Sequence, residues 1–145
     1  MQKLSAEKKK FINDFLQAPL IARMATADSS GQPHVVPVWY GWDGTTIWIS
    51  SFSSTRKVSE LELNPKISIS IDTSEIDGKA TAVILEGKAE LIKEPRELVE
   101  DKSLWIYTRY LDEKGVLEEE PQSWIKDPLN LLIKLTPNTI LTWMY

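Results

Sequence analysis

TIWISSFSSTRKVSELELNPKISISID, residues 46–72, runs through three patterns in succession. Thr46 to Ser51 is β-branched, aromatic and small, and reads as a strand. Five hydroxyl side chains (Ser50, Ser51, Ser53, Ser54 and Thr55) then lead into two adjacent cations, Arg56 and Lys57. Val58, Leu61 and Leu63 give an apolar side to a short helix over 55–63, which Asn64-Pro65 stops. From Lys66 to Asp72 apolar and polar residues alternate, with Ile67, Ile69 and Ile71 on one face, the mark of a half-buried strand. A strand, a hydroxyl-rich loop and paired cations at a helix start suit a phosphate. The free N–H groups and positive dipole end of a helix N-terminus favour an anion. Arg adds a two-pronged donor and Lys a point charge. The same residues also describe an ordinary capped helix with two solvated cations, and on this stretch both readings stand.

On the N-terminal side, residues 5–17 predict a helix capped by Ser5, with Phe11, Ile12, Phe15 and Leu16 on one face. LIARMATAD (20–28) reads as a strand, and PHVVPVWY (33–40) as its partner across the turn SSGQ. Pro37 cannot donate to a ladder, so it places its strand at an edge, at a bulge or against a ligand. Trp42-Asp43-Gly44 signals a hairpin into TTIWISS. On the C-terminal side, residues 72–79 read as a turn around Asp77-Gly78. ATAVILEGKAELI (80–92) reads as one long strand with Gly87 as a bulge or bend. A second long helix is expected over 95–111, with Leu98, Val99, Trp105, Ile106 and Tyr110 on one side. Residues 112–128 read as an acidic loop, and LLIKL and TILTWM as two final strands around Pro137-Asn138.

Six or seven strands and three helices result, with tight turns that imply an antiparallel arrangement. Strands this short and numerous close into a barrel or a sandwich. No GxGxxG and no βαβ alternation occur, which argues against a dinucleotide-binding parallel sheet. A length of 145 residues suits one domain, expected to span 1–145.

Composition removes several chemistries. There is no cysteine, hence no disulfide, thiolate metal site or cysteine nucleophile. The single histidine, His34, cannot support a metal cluster, and no serine lies in a GxSxG context, so no metal ligand and no catalytic side chain is assigned. A net charge of −4 argues against nucleic acid as a partner. Acid is concentrated between Glu94 and Glu120, where nine acids face four bases. Arg56 and Lys57 are thus a local cationic point, better suited to a small anion than to a polyanion. The start, MQKLSAEKKKFINDF, lacks an apolar signal core, and no apolar run approaches the ~20 residues that span a bilayer. The expectation is a cytoplasmic protein with no membrane partner. Six tryptophans (39, 42, 48, 105, 124 and 143) fill a core or an interface, or line a site for a flat conjugated ligand. With so little acid–base equipment, any reaction falls to a cofactor that the protein positions.

The order IARMATADSSGQPHVVPVWYGWDG, TIWISS, STRKVSELELNPKISISID resembles the flavin-binding split β-barrel family of the pyridoxamine 5′-phosphate oxidase type, including its deazaflavin-dependent relatives. The resemblance covers roughly residues 11–92, and more weakly TRYL (108–111) and the closing ILTW. It implies a mainly β, α+β fold: a six- to seven-stranded antiparallel split barrel with a few flanking helices. It implies FMN, or alternatively coenzyme F420, held at a homodimer interface. Hydride exchange with a small organic substrate or NAD(P)H would follow; a non-catalytic flavin-binding or stress-related protein is the alternative. Carried over, Ser50, Ser51, Ser53, Thr55, Arg56 and Lys57 would hold the phosphate, and Val36, Pro37, Val38 and Trp39 would flank the ring. Trp105, Tyr110 and Trp143 are candidates for a wall supplied by the partner subunit. The ending TILTWMY has no basic residue and departs from the arginine-bearing substrate segment of true pyridoxamine phosphate oxidases. Vitamin B6 oxidation is therefore not implied.

Overall fold

The computed structural model describes residues 2–76 and 79–145. Among them the elements follow as α1 (Ala6–Leu16), β1 (Ala22–Ala27), β2 (Pro33–Val38), β3 (Gly41–Trp42), β4 (Ile47–Phe52), α2 (Arg56–Leu63), β5 (Lys66–Ile76) and β6 (Lys79–Lys88), then β7 (Glu90–Ile92), α3 (Arg96–Gly115), α4 (Glu119–Lys126), β8 (Asn130–Leu135) and β9 (Thr139–Met144). Two antiparallel sheets form, in the orders β2-β1-β5-β6-β9 and β3-β4-β8-β7. The chain passes between them four times: at the corners Trp39-Tyr40, Ala89 and 136–138, and through α2 between β4 and β5. Met24, Ile69, Ile71 and Leu85 of the first sheet meet Ile49 and Ile133 of the second, all at most 1% exposed. Each such side chain contributes roughly 1.5–3 kcal/mol on burial. This is the expected mainly β split barrel with flanking helices.

Local pattern explains the elements. Strand β1 turns Ala22, Met24 and Thr26 inward and Arg23 outward, where Arg23 meets Asp72 of β5 at 3.1 Å. Pro33 and Pro37 both sit on β2, an edge strand, where a missing ladder donor is tolerated. Ser5 caps α1 by accepting from the Lys8 N–H at 3.1 Å.

Three expectations change. The 80–92 run is two strands in two sheets, which with the two-residue β3 raises the strand number to nine among the described residues. Gly87 stays in register opposite Ile67; glycine fits there because a Cβ would lie 3.0 Å from the Leu135 side chain. The break falls at Ala89, whose N–H donates to the Pro65 carbonyl at 2.8 Å. Strand β5 continues through the supposed turn to Ile76, and the Asp77-Gly78 turn lies outside the described residues. The acidic 112–128 stretch contains α4, with Pro121 near its start, where a missing N–H costs nothing, and with Pro121 and Ile125 buried. Asp112 interrupts α3 at φ 64° and its Oδ1 accepts from the N–H groups of Lys114 and Gly115 at 2.9 and 2.8 Å.

Helix α3 crosses the second sheet. Val99 and Ile106 pack with Trp48 of β4 and Leu132 of β8. Its later turns clamp remote segments. Arg109 donates to the carbonyls of Tyr40, Gln17 and Ala18, and the Tyr110 hydroxyl donates to the Leu20 carbonyl at 2.7 Å while accepting from the Tyr40 N–H. The TRYL segment thus ties α3 to the α1–β1 junction and the β2–β3 corner.

Candidate functional site

The end of β4 and the start of α2 form one side of a two-lobed cleft. One lobe is about 280 Å³ and the other about 210 Å³; they share Ser50, Lys57, Tyr107 and Trp124. The first adds Pro37, Val38, Trp39 and Ile106, and the second adds Ser51, Phe52 and Thr55. Together they fall in the ~300–1,000 Å³ range of small-molecule sites.

Thr55 takes the N-cap position of α2, yet its hydroxyl turns back to donate to the Phe52 carbonyl at 2.9 Å and no side chain caps the helix. The first turn of α2 is left for another acceptor. Lys57, half-buried in this turn, has no anion or hydrogen-bond partner among the described residues. Burial holds its ammonium below the usual lysine pKa. An unpaired, partly desolvated cation beside two hydroxyls is a site that gains from an anion.

The opposite side is aromatic. Trp39 stacks on Tyr110 at 4.8 Å and 5°, meets Tyr107 edge-on at 5.9 Å, and Tyr107 meets Trp124 edge-on at 5.7 Å. These contacts hold the flat faces in place from within one chain. Burial raises the Tyr107 pKa, so the group is a phenol at neutral pH.

Below the cleft a closed polar network fixes Ser50. Its hydroxyl donates to Asn130 Oδ1 at 2.7 Å; Asn130 Nδ2 donates to Ser103 Oγ at 3.0 Å; Ser103 lies 3.0 Å from Ser50. Since the one Ser50 proton goes to Asn130, Ser103 donates to Ser50. The Tyr107 hydroxyl donates to Ser50 as well, at 3.2 Å. Ser103 and Asn130 are at most 1% exposed, so their side of the network is shielded from water.

Residues 9–144 match the family model described as pyridoxamine 5′-phosphate oxidase. The chain belongs to that family. No curated protein matches the sequence. Similar solved structures share the family's fold. A conserved hypothetical protein, Rv2991, of Mycobacterium tuberculosis has a TM-score of 0.76 at 23% identity, with 97% of this chain and 85% of that one covered. A structure named F420 reductase has 0.70 at 22%, with 89% and 94% covered. An FAD-binding protein of Mesorhizobium loti has 0.68 at 20%, with 98% and 96% covered.

Of the residues singled out in this family member's sequence, Pro37, Val38, Trp39, Ser50, Ser51, Thr55 and Lys57 come together at the cleft. Three do not. The Val36 side chain packs on the barrel core, because it alternates with Pro37 along β2. Ser53 lines a different cleft, beside Arg96. Arg56, 59% exposed, leans on Glu60 with Nε 3.5 Å from Oε1. That same Glu60 oxygen accepts from His34 Nδ1 at 2.7 Å and Thr26 Oγ1 at 3.2 Å, while Oε2 is buried without a hydrogen-bond partner among the described residues. His34 is therefore the structural partner of a buried carboxylate.

Sequence reasoning missed Ile106, Tyr107 and Trp124 in the wall and Ser103 and Asn130 beneath it. Ser103 and Tyr107 are one helical turn apart, a spacing that was visible. Trp124 was hidden by reading its helix as a loop. The supposed partner-wall residues Trp105 and Tyr110 are used within the chain: Trp105 closes over Gly41, and Tyr110 stacks on Trp39. Trp143, on edge strand β9, is 43% exposed.

Proposed function

We propose that the protein is a flavin-binding oxidoreductase that holds FMN in the Lys57 cleft and acts on a small organic substrate or NAD(P)H. The observation that carries this reading is Lys57: a half-buried ammonium with no anionic partner among the described residues, at an uncapped helix start, facing a wall of flat aromatic rings. The residues fit the cofactor's two ends. Lys57, the Ser51 and Thr55 hydroxyls and the first N–H groups of α2 would hold a phosphate. Pro37, Val38, Trp39, Tyr107 and Trp124 would cover a conjugated ring and exclude water from it. When bound, the flavin supplies hydride transfer. Ser50 contributes rigidity, since its only proton is committed to Asn130. A homodimer completing the cleft belongs to the same proposal, as does F420 in place of FMN, whose phosphate would meet the same lysine.

The test is direct. Purified protein is expected to be yellow, to release a phosphate-bearing chromophore on denaturation, and to melt higher with added FMN or F420. Mass spectrometry of that chromophore decides between the two. Colourless protein with no gain in melting temperature from either would sink the proposal. Lys57→Ala should cost about 1.5–3 kcal/mol of cofactor binding, the worth of a charge-assisted contact. Arg56→Ala should cost clearly less, because Arg56 leans towards Glu60. Equal losses in isothermal titration would place the phosphate nearer Arg56.

A further inference from the structure

A second cleft, of about 500 Å³, lies between the β7–α3 junction and the α4–β8 turn. Leu131, 1% exposed, and Leu129 give it apolar surface; Ser53, Lys93, Arg96 and Lys126 give it donors; Glu94 is its single acid. In a chain of net charge −4 this is a local excess of positive charge.

The positive charges are not neutralised by ion pairs among the described residues. Among the described residues no carboxylate forms an ion pair with Lys93, Arg96 or Lys126, and the Ser53 hydroxyl makes no hydrogen bond. Arg96 is the most telling. Its guanidinium donates to three backbone carbonyls, of Lys93 at 3.3 Å, Asn130 at 2.8 Å and Asp127 at 3.0 Å. A guanidinium has five N–H donors, so two remain unspent. The carbonyls fix its position without neutralising its charge. A cation already held in place loses little freedom when it binds an anion.

The chain separates this cleft from the Lys57 site by one residue. Ser51 faces the Lys57 site and Ser53 faces the second cleft, with Phe52 between them. Two steps along an extended chain span about 7 Å.

We propose that this cleft is a second oxyanion site, distinct from the Lys57 site, that takes a phosphate group through Arg96, Lys93, Lys126 and Ser53. Two sources share that chemistry: a phosphate further along a nucleotide cofactor, or a separate phosphorylated molecule. The inference goes beyond the cofactor assignment and stands without it.

Pyrophosphate is the probe, titrated calorimetrically into the full-length Lys57→Gln variant so that the first site is disabled. Binding is expected to persist there. Adding Lys93→Gln and Lys126→Gln should weaken it about tenfold or more, as charge-assisted contacts are lost. Glu94→Gln should strengthen it. Neither lysine side chain makes a hydrogen bond or ion pair among the described residues, so melting temperatures should stay close to the parent's; Arg96 is left intact because it braces three carbonyls. Comparing FMN with FAD on protein with Lys57 restored separates the sources. If Lys93→Gln/Lys126→Gln weakens FAD but not FMN, the cleft takes the cofactor's second phosphate. If neither weakens and FMN-saturated protein still binds pyrophosphate, it takes a separate molecule. Absence of pyrophosphate binding in the Lys57→Gln protein, or binding unchanged by the lysine substitutions, overturns the proposal. Failure of FMN to bind while pyrophosphate binds would remove the flavin assignment and leave this one standing.

Discussion

Lys57 and Glu60 lie three residues apart on α2 and show how burial divides roles on one short helix. Lys57 has a folded pKa below its ordinary value of 10.5, through desolvation. The unfolded chain therefore binds more protons than the folded one in the alkaline window below 10.5, and stability rises with pH there. Melting curves of ligand-free protein should show that rise, and Lys57→Met should abolish it. Affinity for a phosphate should fall across the same window, because the ammonium that attracts it is lost. At Glu60 the logic is structural. His34→Ala would leave a buried carboxylate, 7% exposed, with Thr26 and a long contact to Arg56. Breaking such a pair should cost about 2–4 kcal/mol in urea unfolding. The run of hydroxyls and cations was visible in the sequence, but the ranking of Arg56 and Lys57 was not. Successive helical residues point about 100° apart, so one of two neighbours faces the cleft and the other does not. Only the packing of α2 against β1 and β7 decides which.

Among the elements, α3 is the one whose placement the site depends on. It carries Ser103 and Tyr107 of the cleft and, one turn on, the Arg109–Tyr110 clamp. Its seat on the second sheet needs Gly41, where any Cβ would run into the Trp105 ring. Gly41→Ala should destabilise the fold by about 1–3 kcal/mol, as overpacking does. It should also weaken cofactor binding, because α3 must shift with its tryptophan. A variant that melts like the parent would mean that the ring gives way easily. Periodicity revealed α3, β1 and β5 because each has one face more buried than the other, whereas β4, buried on both faces, was marked by its β-branched and aromatic residues. It did not reveal the break at Ala89, since β6 and β7 are both apolar on the core side and nothing local marks the change of sheet. Helix α4 was obscured by Pro121 and the adjacent Glu119 and Glu120, which read as loop residues yet are favourable in a helix's first turn.

At the scale of the whole molecule, the split barrel was legible from strand–helix–strand order and from family resemblance. The pairing of distant strands was not, because sheet order depends on contacts far apart in sequence. The proposed homodimer is checked by light scattering at micromolar concentration, where a dimer mass is expected with cofactor bound; a monomer would remove the shared-cleft part of the proposal. The sheet order also bears on how the chain is made. Strand β8 lies between β4 and β7, and β9 closes against β6. Until residues 130–144 have left the ribosome, β4 and β6 each keep an unpaired edge, and Asn130 is missing from beneath Ser50. The nascent chain must therefore carry these two open strand edges from the time β4 and β6 are made until β8 and β9 follow. Such edges recruit other chains. Pausing or truncation before β8 should turn a well-behaved barrel into an aggregating one, long before any question of cofactor arises.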